Sequence, residues 1–252
     1  MFLNSLFGNK KSILGIDIGT SNIKIAQITH GVSPTLDTYG IVNTAYQIGG
    51  KNDEVAIAQM AKILKSLVQK AGVTAKRCVI SFPNSAVFTS LLQLPNMKQS
   101  ELGPAVEFEA KKYVPLAISE VDLSWTVIGE SSEQAQNLKI LRTAVPKLIT
   151  KNYMRVFGMA GLKPEVGEIE ALALIRSLVG NVQINCVIID IGARSTGLNI
   201  IEGGYLRLSR NLNIGGDTIT DKIAQSLNIS VYRAEQFKKD FGVASATFIP
   251  DT

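Results

Sequence analysis

The sequence carries one motif twice, and this internal repeat limits the possible folds more than any other feature. Residues 14–31 align with residues 187–204 at a separation of 173 positions, and the sequence Ile-Asp-Ile-Gly occurs in both copies. Each copy predicts a β-branched strand, a tight turn containing glycine, a second strand, a further turn and a third strand, followed by a helix. The repeat therefore predicts two lobes of like topology.

The turn in each copy has the residues that a phosphate-binding hairpin needs. Glycine lets the backbone approach a ligand closely, and consecutive backbone N–H groups form a nest for an anion. Asp17 and Asp190 each end an apolar strand, and we expect them to face each other across a cleft between the lobes. A carboxylate there needs a cation, which a Mg²⁺ ion accompanying the phosphates would supply. Since a single Asp-x-Gly is more often an ordinary turn, the prediction depends on the repeat.

Several other chemistries are disfavoured by the sequence. It contains neither a G-x-x-x-x-G-K-[ST] P-loop nor a G-x-G-x-x-G fingerprint after a strand. The only histidine, His30, lies in a predicted turn, which disfavours a Ser-His-Asp triad or a histidine-based metal site. These observations leave the repeated hairpin as the main candidate for a functional site.

Composition predicts a folded, cytoplasmic protein. Apolar residues make up 46% of the 252 residues and charged residues 19%, so a sizeable core is available. The net charge is +5, but the Lys and Arg residues are dispersed, which disfavours nucleic-acid binding. The two cysteines form no disulfide framework, and no apolar stretch is long enough to span a membrane.

We divide the chain into a leader and three structural units. Residues 1–11 form the leader, in which apolar residues at helical spacing precede two lysines. The leader either packs on the body or stays mobile, or it lies on a membrane surface. The first lobe takes residues 12–77 and 147–180, an α+β insert takes residues 78–146, and the second lobe takes residues 181–252.

Two segments resemble the phosphate motifs of the actin, DnaK, MreB and FtsA superfamily. Residues 15–24 are similar to the first motif, and residues 187–192 are similar to the second. Within that superfamily the insert resembles the PilM family of type IV pilus assembly proteins, because residues 109–115 match its E-A-x-x-Y-I-P helix. The strand at residues 120–125 and the segments 153–171 and 206–224 extend this resemblance to nearly the whole chain.

The resemblance implies an α/β fold of the actin-like (ribonuclease H-like) type, with two lobes, a small α+β insert in the first and an incomplete second lobe. It implies ATP and Mg²⁺ as cofactors, with Asp17 and Asp190 as the metal-binding residues. It gives Glu168 the place of a water-positioning catalytic acid, while a surface carboxylate at a helix entry explains Glu168 equally well. The implied nucleotide-binding residues are Asp17, Gly19, Thr20, Ser21, Asn22, Lys24, Asp190, Gly192, Ala193, Arg194, Gly215, Gly216, Glu235 and Lys238.

Two features depart from the superfamily pattern. Residues 192–196 lack the multiple glycines of DnaK-type loops, so we expect at most a weak ATPase. The family continues beyond the point that corresponds to Thr252, and its adenine-binding Gly-Gly loop and final helix have no counterpart here. We therefore expect either a fragment or a shortened relative.

The resemblance implies a nucleotide-dependent scaffold for type IV pilus or type II secretion-like assembly. Proteins of this family bind the N-terminal tail of a PilN-type inner-membrane protein, which would hold this chain at the cytoplasmic face of the inner membrane. Other pilus assembly components and self-association are further expected contacts, and nucleic acid is not. Two alternatives stay open: a filament or division protein of FtsA or MreB type, and an actin-fold phosphotransferase, which is disfavoured because no acceptor-sugar constellation is present.

Overall fold

A computed structural model describes residues 12–49, 53–128 and 137–242 of the chain. The predictions for the leader at residues 1–11 and for the chain end at Thr252 lie outside this part. None of the helices within the described ranges is long and apolar enough to cross a membrane.

The described chain forms eleven strands and six α-helices. In chain order the strands are β1 (Ser12–Ile18), β2 (Asn22–Thr29), β3 (Thr35–Asn43), β4 (Arg77–Phe82), β5 (Phe88–Pro95), β6 (Val121–Ile128), β7 (Asn137–Pro146), β8 (Lys163–Ile169), β9 (Cys186–Ile191), β10 (Thr196–Glu202) and β11 (Tyr205–Leu212). The helices are α1 (Glu54–Lys70), α2 (Gln99–Ala110), α3 (Lys147–Ala160), α4 (Glu170–Leu178), α5 (Gly216–Leu227) and α6 (Val231–Phe241).

The first sheet has five strands in the order β3-β2-β1-β4-β8. The strands β1, β2 and β3 are antiparallel neighbours, whereas β4 runs parallel to both β1 and β8. Helix α1 begins after Asp53, whose side chain accepts a hydrogen bond from the Ala56 N–H at 2.9 Å. The sheet, α1 and α3 share one core, to which they contribute Leu14, Ile16, Ile18, Met60, Leu64, Val156 and Phe157.

The sequence predicts a strand at residues 78–82, which we assigned to the insert, but this strand belongs to the first sheet. Cys78 and Ile80 are fully or almost fully buried, and β4 pairs on one side with β1 and on the other with β8. A strand buried between two parallel neighbours appears in the sequence as a short apolar run. That pattern alone does not identify the sheet to which the strand belongs. The placement of residues 78–82 in the insert was wrong for this reason.

The insert is a three-stranded antiparallel sheet in the order β5-β7-β6, with α2 packed on one face. The sequence predicts a helix here that is capped by Ser100 and has Pro104 in its first turn. Helix α2 begins at Gln99 instead, so Pro104 lies in its second turn. The sequence predicts strands at residues 121–128 and 138–145; β6 agrees with the first at both ends, and β7 is one residue longer than the second at each end. The insert therefore has the predicted α+β composition without the strand β4.

The second lobe is built on the antiparallel sheet β11-β10-β9. One face of this sheet packs on α4, where Ile175 and Val179 share a core with Ile188, Ile201 and Leu206. Helix α4 was predicted within the first lobe, yet its buried side chains contact the second sheet. It directly follows β8 of the first sheet, so α4 connects the two lobes.

Candidate nucleotide site

The two copies of the motif fold into turns with the same hydrogen bond. The Gly19 N–H donates to the Asn22 carbonyl at 2.9 Å, and the Gly192 N–H donates to the Ser195 carbonyl at 2.9 Å. A Cβ atom on Gly19 or Gly192 would lie 3.1 or 3.0 Å from the same carbonyl oxygen, so both turns favour glycine. The repeat in the sequence is thus a repeat in the structure.

The two turns line a single cleft of about 200 Å³ between the lobes. Nine of the residues predicted to bind the nucleotide line this cleft: Asp17, Gly19, Thr20, Ser21, Asn22, Lys24, Asp190, Gly192 and Ala193. Its lining also includes Asn84 and Glu170, which the sequence reasoning did not select. The fold therefore brings together the two hairpins that the repeat defined.

The Asp17 carboxylate is held by two neighbours on the first sheet. Ser81 Oγ donates to its Oδ1 at 3.0 Å, and Lys24 Nζ lies 3.3 Å from its Oδ2. Lys24 stands opposite Asp17 on β2, and Ser81 stands opposite it on β4, so strand register fixes both contacts. The arrangement orients Asp17 at the end of β1 and supplies one cation to the cleft.

Glu170 is the third carboxylate of the cleft. It is the first residue of α4, where the helix dipole favours a negative charge. Burial raises its pKa to about 7, and the charges of Asp190 and Asp17 act in the same direction. Three acidic side chains therefore converge on a small cleft, and one of them, Glu170, has a pKa near neutrality.

Glu168 does not line the cleft. Its two carboxylate oxygens accept hydrogen bonds from the Arg176 guanidinium, one of them at 2.5 Å, and its side chain borders two grooves elsewhere on the first lobe. The catalytic role of Glu168 stays a prediction, and the geometry favours Glu170 as the acid that faces the cleft.

Asn84 connects Glu170 to the rest of the site. Its backbone N–H donates to Glu170 Oε2 at 3.4 Å, and its side-chain oxygen accepts from the Ala171 N–H at 3.1 Å. Its Nδ2 is buried and has no hydrogen-bond partner among the residues that the structure describes. This amide lies 3.3 Å from the position of a Cβ on Gly197, which pairs with Asp190. Asn84 therefore lies between the acid on α4 and the second hairpin.

Gly215 and Gly216 support the turn at residues 192–195, called the second turn below, from outside the cleft. The Gly216 N–H donates to the Gly192 carbonyl at 2.9 Å, and the Asp217 N–H donates to the Ala193 carbonyl at 2.7 Å. Arg194 lies 3.4 Å from Asp217 in an exposed ion pair and does not line the cleft. The start of α5 is thus fastened to the backbone of the turn.

Glu235 and Lys238 also lie outside the cleft lining, where they join α6 to α5. Lys238 Nζ donates to the Gly216 carbonyl at 3.0 Å and to Thr220 Oγ1 at 2.7 Å, while Thr220 Oγ1 lies 2.6 Å from the Glu235 carboxylate. The hydrogen bonds from Lys238 and Thr220 lower the pKa of Glu235 to about 2. The predicted contact of these two residues with a nucleoside stays a prediction.

The cleft residues fit a nucleotide with a magnesium ion. Carboxylate oxygens suit Mg²⁺, which usually keeps several of its waters and takes only one or two protein ligands directly. Within the described residues no group of three His, Cys, Asp or Glu side chains could hold a metal ion directly. The carboxylate oxygens of Asp17, Glu170 and Asp190 are suited to the waters of a hydrated Mg²⁺ ion, and the glycine turns are suited to phosphate oxygens.

Two sheets joined by α4, with matched glycine hairpins facing one cleft, define an actin-like ATPase fold. A solved structure described as the PilM-PilN type IV pilus biogenesis complex is similar, with a TM-score of 0.80, 27% identity and coverage of 91% of this chain and 70% of that chain. The ethanolamine utilization protein EutJ from Carboxydothermus hydrogenoformans shares the fold, with a TM-score of 0.57 and 18% identity over 91% of this chain and 62% of its own.

The family model for the type IV pilus assembly protein PilM matches residues 15–245, and the chain belongs to this family. The cell division protein FtsA of Streptococcus pneumoniae is 23% identical over 91% of this chain. The chaperone DnaK of Mycoplasmopsis synoviae is 25% identical over 86% of it. The chain spans 56% of the length of that FtsA and 35% of the length of that DnaK.

Proposed function

We propose that this chain binds ATP with Mg²⁺ between its two hairpins and acts as a scaffold in type IV pilus assembly, bound to the N-terminal tail of a PilN-type inner-membrane protein. The observation that carries the proposal is the cleft itself. Two glycine turns with the same hydrogen bond meet there with three carboxylates, and the chain belongs to the PilM family. Such a partner would hold the protein at the cytoplasmic face of the inner membrane.

In this proposal each part of the cleft has one role. The backbone N–H groups of both turns bind phosphate oxygens, with Thr20, Ser21 and Asn22 as short donors beside them. Asp17 and Asp190 orient a hydrated Mg²⁺ ion, which would neutralise phosphate charge. The residues outside the lining, Gly215 and Gly216, hold the second turn in place.

Glu170 is the group in the cleft best suited to accept a proton from a water molecule. It lines the cleft at the start of α4, and in the absence of a cation its pKa is about 7, close to the value that general-base catalysis at neutral pH favours. Asn84 would fix its carboxylate through the backbone N–H. We therefore assign the activation of water in any ATP hydrolysis to Glu170, and the binding of the nucleotide to the two hairpins.

Nucleotide binding is tested by calorimetric titration of Mg-ATP into the protein and three alanine variants. We expect saturable binding to the unsubstituted chain and binding weaker by at least about tenfold in Asp17→Ala and in Asp190→Ala, since each loses a charge-assisted contact. Asp221→Ala is the matched control, because Asp221 is an exposed acid on α5 outside the cleft lining. Equal affinities in all four proteins would refute the cleft as the nucleotide site.

The best supported place for the tail is a groove of about 360 Å³ between the insert and the first lobe. One wall is Asp122, Leu123 and Ser124 on β6, an edge strand that pairs only with β7. Extended peptides bind by adding to such an edge and placing alternate side chains in pockets. Met154 on α3 and Leu172 on α4 provide apolar contacts on the opposite side.

We expect Met154→Asp to weaken binding of a PilN-type N-terminal peptide by at least about tenfold, because a carboxylate would enter an apolar contact. Met159→Asp is the matched control, since Met159 is also an exposed methionine on α3 but does not line the groove. Fluorescence anisotropy of the labelled peptide, with and without Mg-ATP, gives the affinities. The tail proposal fails if the peptide shows no saturable binding in either state.

A further inference from the structure

Arg142 is a buried charged residue near the centre of the insert sheet, with 2% of its surface exposed. Its Nη2 donates to Ser90 Oγ at 2.7 Å, and its guanidinium carbon lies 5.3 Å from the centre of the Tyr113 ring. Its Nη1 is buried without a hydrogen-bond partner among the described residues. A guanidinium keeps its charge in proteins, so a buried donor without an acceptor costs free energy.

A groove of about 400 Å³ lies beside Arg142, between the insert and the second lobe. Ser90 and Tyr113, the two residues that Arg142 contacts, both line this groove. Its other wall includes Ser209, Arg210 and Asn211 on β11. Among the lining residues that the structure describes there are hydroxyls, amides and an arginine but no carboxylate, so the groove is complementary to an anion.

The size and the walls of the groove suit an extended peptide better than a small ion. Its volume lies within the range of about 300–1,000 Å³ typical of ligand sites. The strand β5 is an edge of the insert sheet and β11 is an edge of the second sheet, and residues of both line the groove. Backbone groups at sheet edges are available to pair with an incoming extended segment.

We propose that this groove binds an acidic side chain on an extended segment of a protein partner, with the Arg142 guanidinium as the receptor for the carboxylate. Carboxylates accept two parallel hydrogen bonds from a guanidinium, so the buried Nη1 gains the acceptor it lacks. Tyr113 is 64% exposed and covers Arg142, which makes its ring a movable cover over the charge. Arg210 at the exposed rim adds a second positive charge.

This proposal gives a function to the tyrosine of the segment 109–115, which distinguished the insert in the sequence. It does not rest on nucleotide binding, and its test is run without nucleotide. The groove is separate from the cleft described above, although Asn84, Ser85 and Asn211 line both. A partner in the groove would therefore contact a wall that the nucleotide cleft shares.

The test is a titration of the protein with a short capped peptide of alternating threonine and aspartate, and with the same peptide carrying asparagine in place of aspartate. Trp125 is the only tryptophan of the chain and stands opposite Arg142 on β6, so its fluorescence reports on that site. We expect saturable binding of the acidic peptide, and binding of the neutral peptide weaker by at least about tenfold.

Three variants connect the binding to the proposed residues. We expect Arg142→Gln to abolish the preference for the acidic peptide, and Arg210→Gln to weaken its binding by severalfold. We expect Tyr113→Ala to tighten binding, because the ligand no longer displaces the ring. Arg210 and Tyr113 are exposed, so these two variants carry the test if Arg142→Gln does not fold.

The proposal is overturned if the two peptides bind alike, if neither binds, or if Tyr113→Ala and Arg210→Gln leave the affinity for the acidic peptide unchanged. Inorganic phosphate is titrated in parallel. Tight, Arg142-dependent binding of phosphate with no binding of the acidic peptide would overturn the peptide as occupant and identify a free oxyanion instead.

Discussion

Gly215→Ala is expected to lower the free energy of unfolding by about 3 kcal/mol, the upper part of the usual range for overpacking. A Cβ on Gly215 would lie 2.5 Å from the Ala193 carbonyl oxygen and 2.6 Å from that of Gly192. Both contacts are with backbone of the second turn, which cannot rotate away as a side chain can. The backbone φ of Gly215 is −154°, which any residue adopts, so the clash alone causes the loss.

The neighbouring variant Gly216→Ala is the matched control. A Cβ there would have Lys238 Nζ as its nearest neighbour at 3.4 Å, and the end of a lysine side chain moves easily. We expect a change within about 0.5 kcal/mol for this variant. Thermal unfolding should separate the two variants by roughly 6 to 12 °C for a chain of this size. Equal melting temperatures would show that the contact between α5 and the second turn is not tight.

Gly215→Ala should also weaken Mg-ATP binding. The Gly192 and Ala193 carbonyls accept the hydrogen bonds from the start of α5, and displacing them moves the N–H groups of the same turn. Gly216→Ala should leave the affinity unchanged, because it does not press on those carbonyls. Calorimetric titration of the two variants distinguishes a loss at the second hairpin from a general loss of stability.

The two hairpins could be predicted from sequence because their pattern is local. Alternation of apolar residues, a glycine turn and a second strand lie within a few positions, and the repeat confirmed each copy by the other. The sheet to which β4 belongs depends on its pairing with β1, more than sixty positions earlier in the chain. A short apolar run contains no information about such a distant partner, so that assignment failed.

The difference between Glu168 and Glu170 has a related cause. Alternate side chains of a strand point to opposite faces, and Glu168 is the second-last residue of β8. Glu170 begins α4, where the change from strand to helix directs its side chain to the cleft. A sequence places such a junction only to within a few residues. Two acids only two positions apart therefore could not be distinguished until the end of β8 was known.

Gly215, Gly216, Glu235 and Lys238 illustrate what the motif alone could not show. We predicted that these four residues bind the nucleotide because they resemble a family pattern. In the structure Gly216 and Lys238 contact each other and the two glycines lie against the second turn, while the contact of all four residues with a nucleotide stays a prediction. Whether a residue touches a ligand or holds a residue that does depends on distances across α5 and α6.

Glu170→Gln is expected to stabilise the protein without ligand at pH 8 by about 2 kcal/mol. The pKa of Glu170 is about 7 in the folded protein and near 4.5 in the unfolded chain, and one pKa unit corresponds to about 1.4 kcal/mol. We reduce the resulting value because the side chain is not fully buried. Glutamine keeps the shape and the acceptor for the Asn84 N–H but removes the charge that Asp17 and Asp190 repel.

The sign of the pH dependence follows from proton linkage. Between about pH 4.5 and 7 the folded state binds more protons at Glu170 than the unfolded state, so stability falls as the pH rises. The stability that protonated Glu170 provides relative to its ionised form is fully present below about pH 4.5 and fully lost above about pH 7. The gain from Glu170→Gln should therefore be large at pH 8 and vanish near pH 4.5. Urea unfolding of both proteins at several pH values measures this difference, and titrating groups that do not interact with Glu170 cancel in the comparison.

The Glu168→Gln variant is the control for this experiment, and the addition of Mg²⁺ is a second test of the repulsion at Glu170. Glu168 is paired with Arg176 outside the cleft, so its replacement should cost up to about 1 kcal/mol at pH 8 instead of stabilising. At pH 8, Mg²⁺ should stabilise the unsubstituted protein more than it stabilises the Glu170→Gln variant. The cation relieves a repulsion between carboxylates that the variant no longer has. A gain in Glu168→Gln and none in Glu170→Gln would reverse the assignment and place the repelled acid at Glu168.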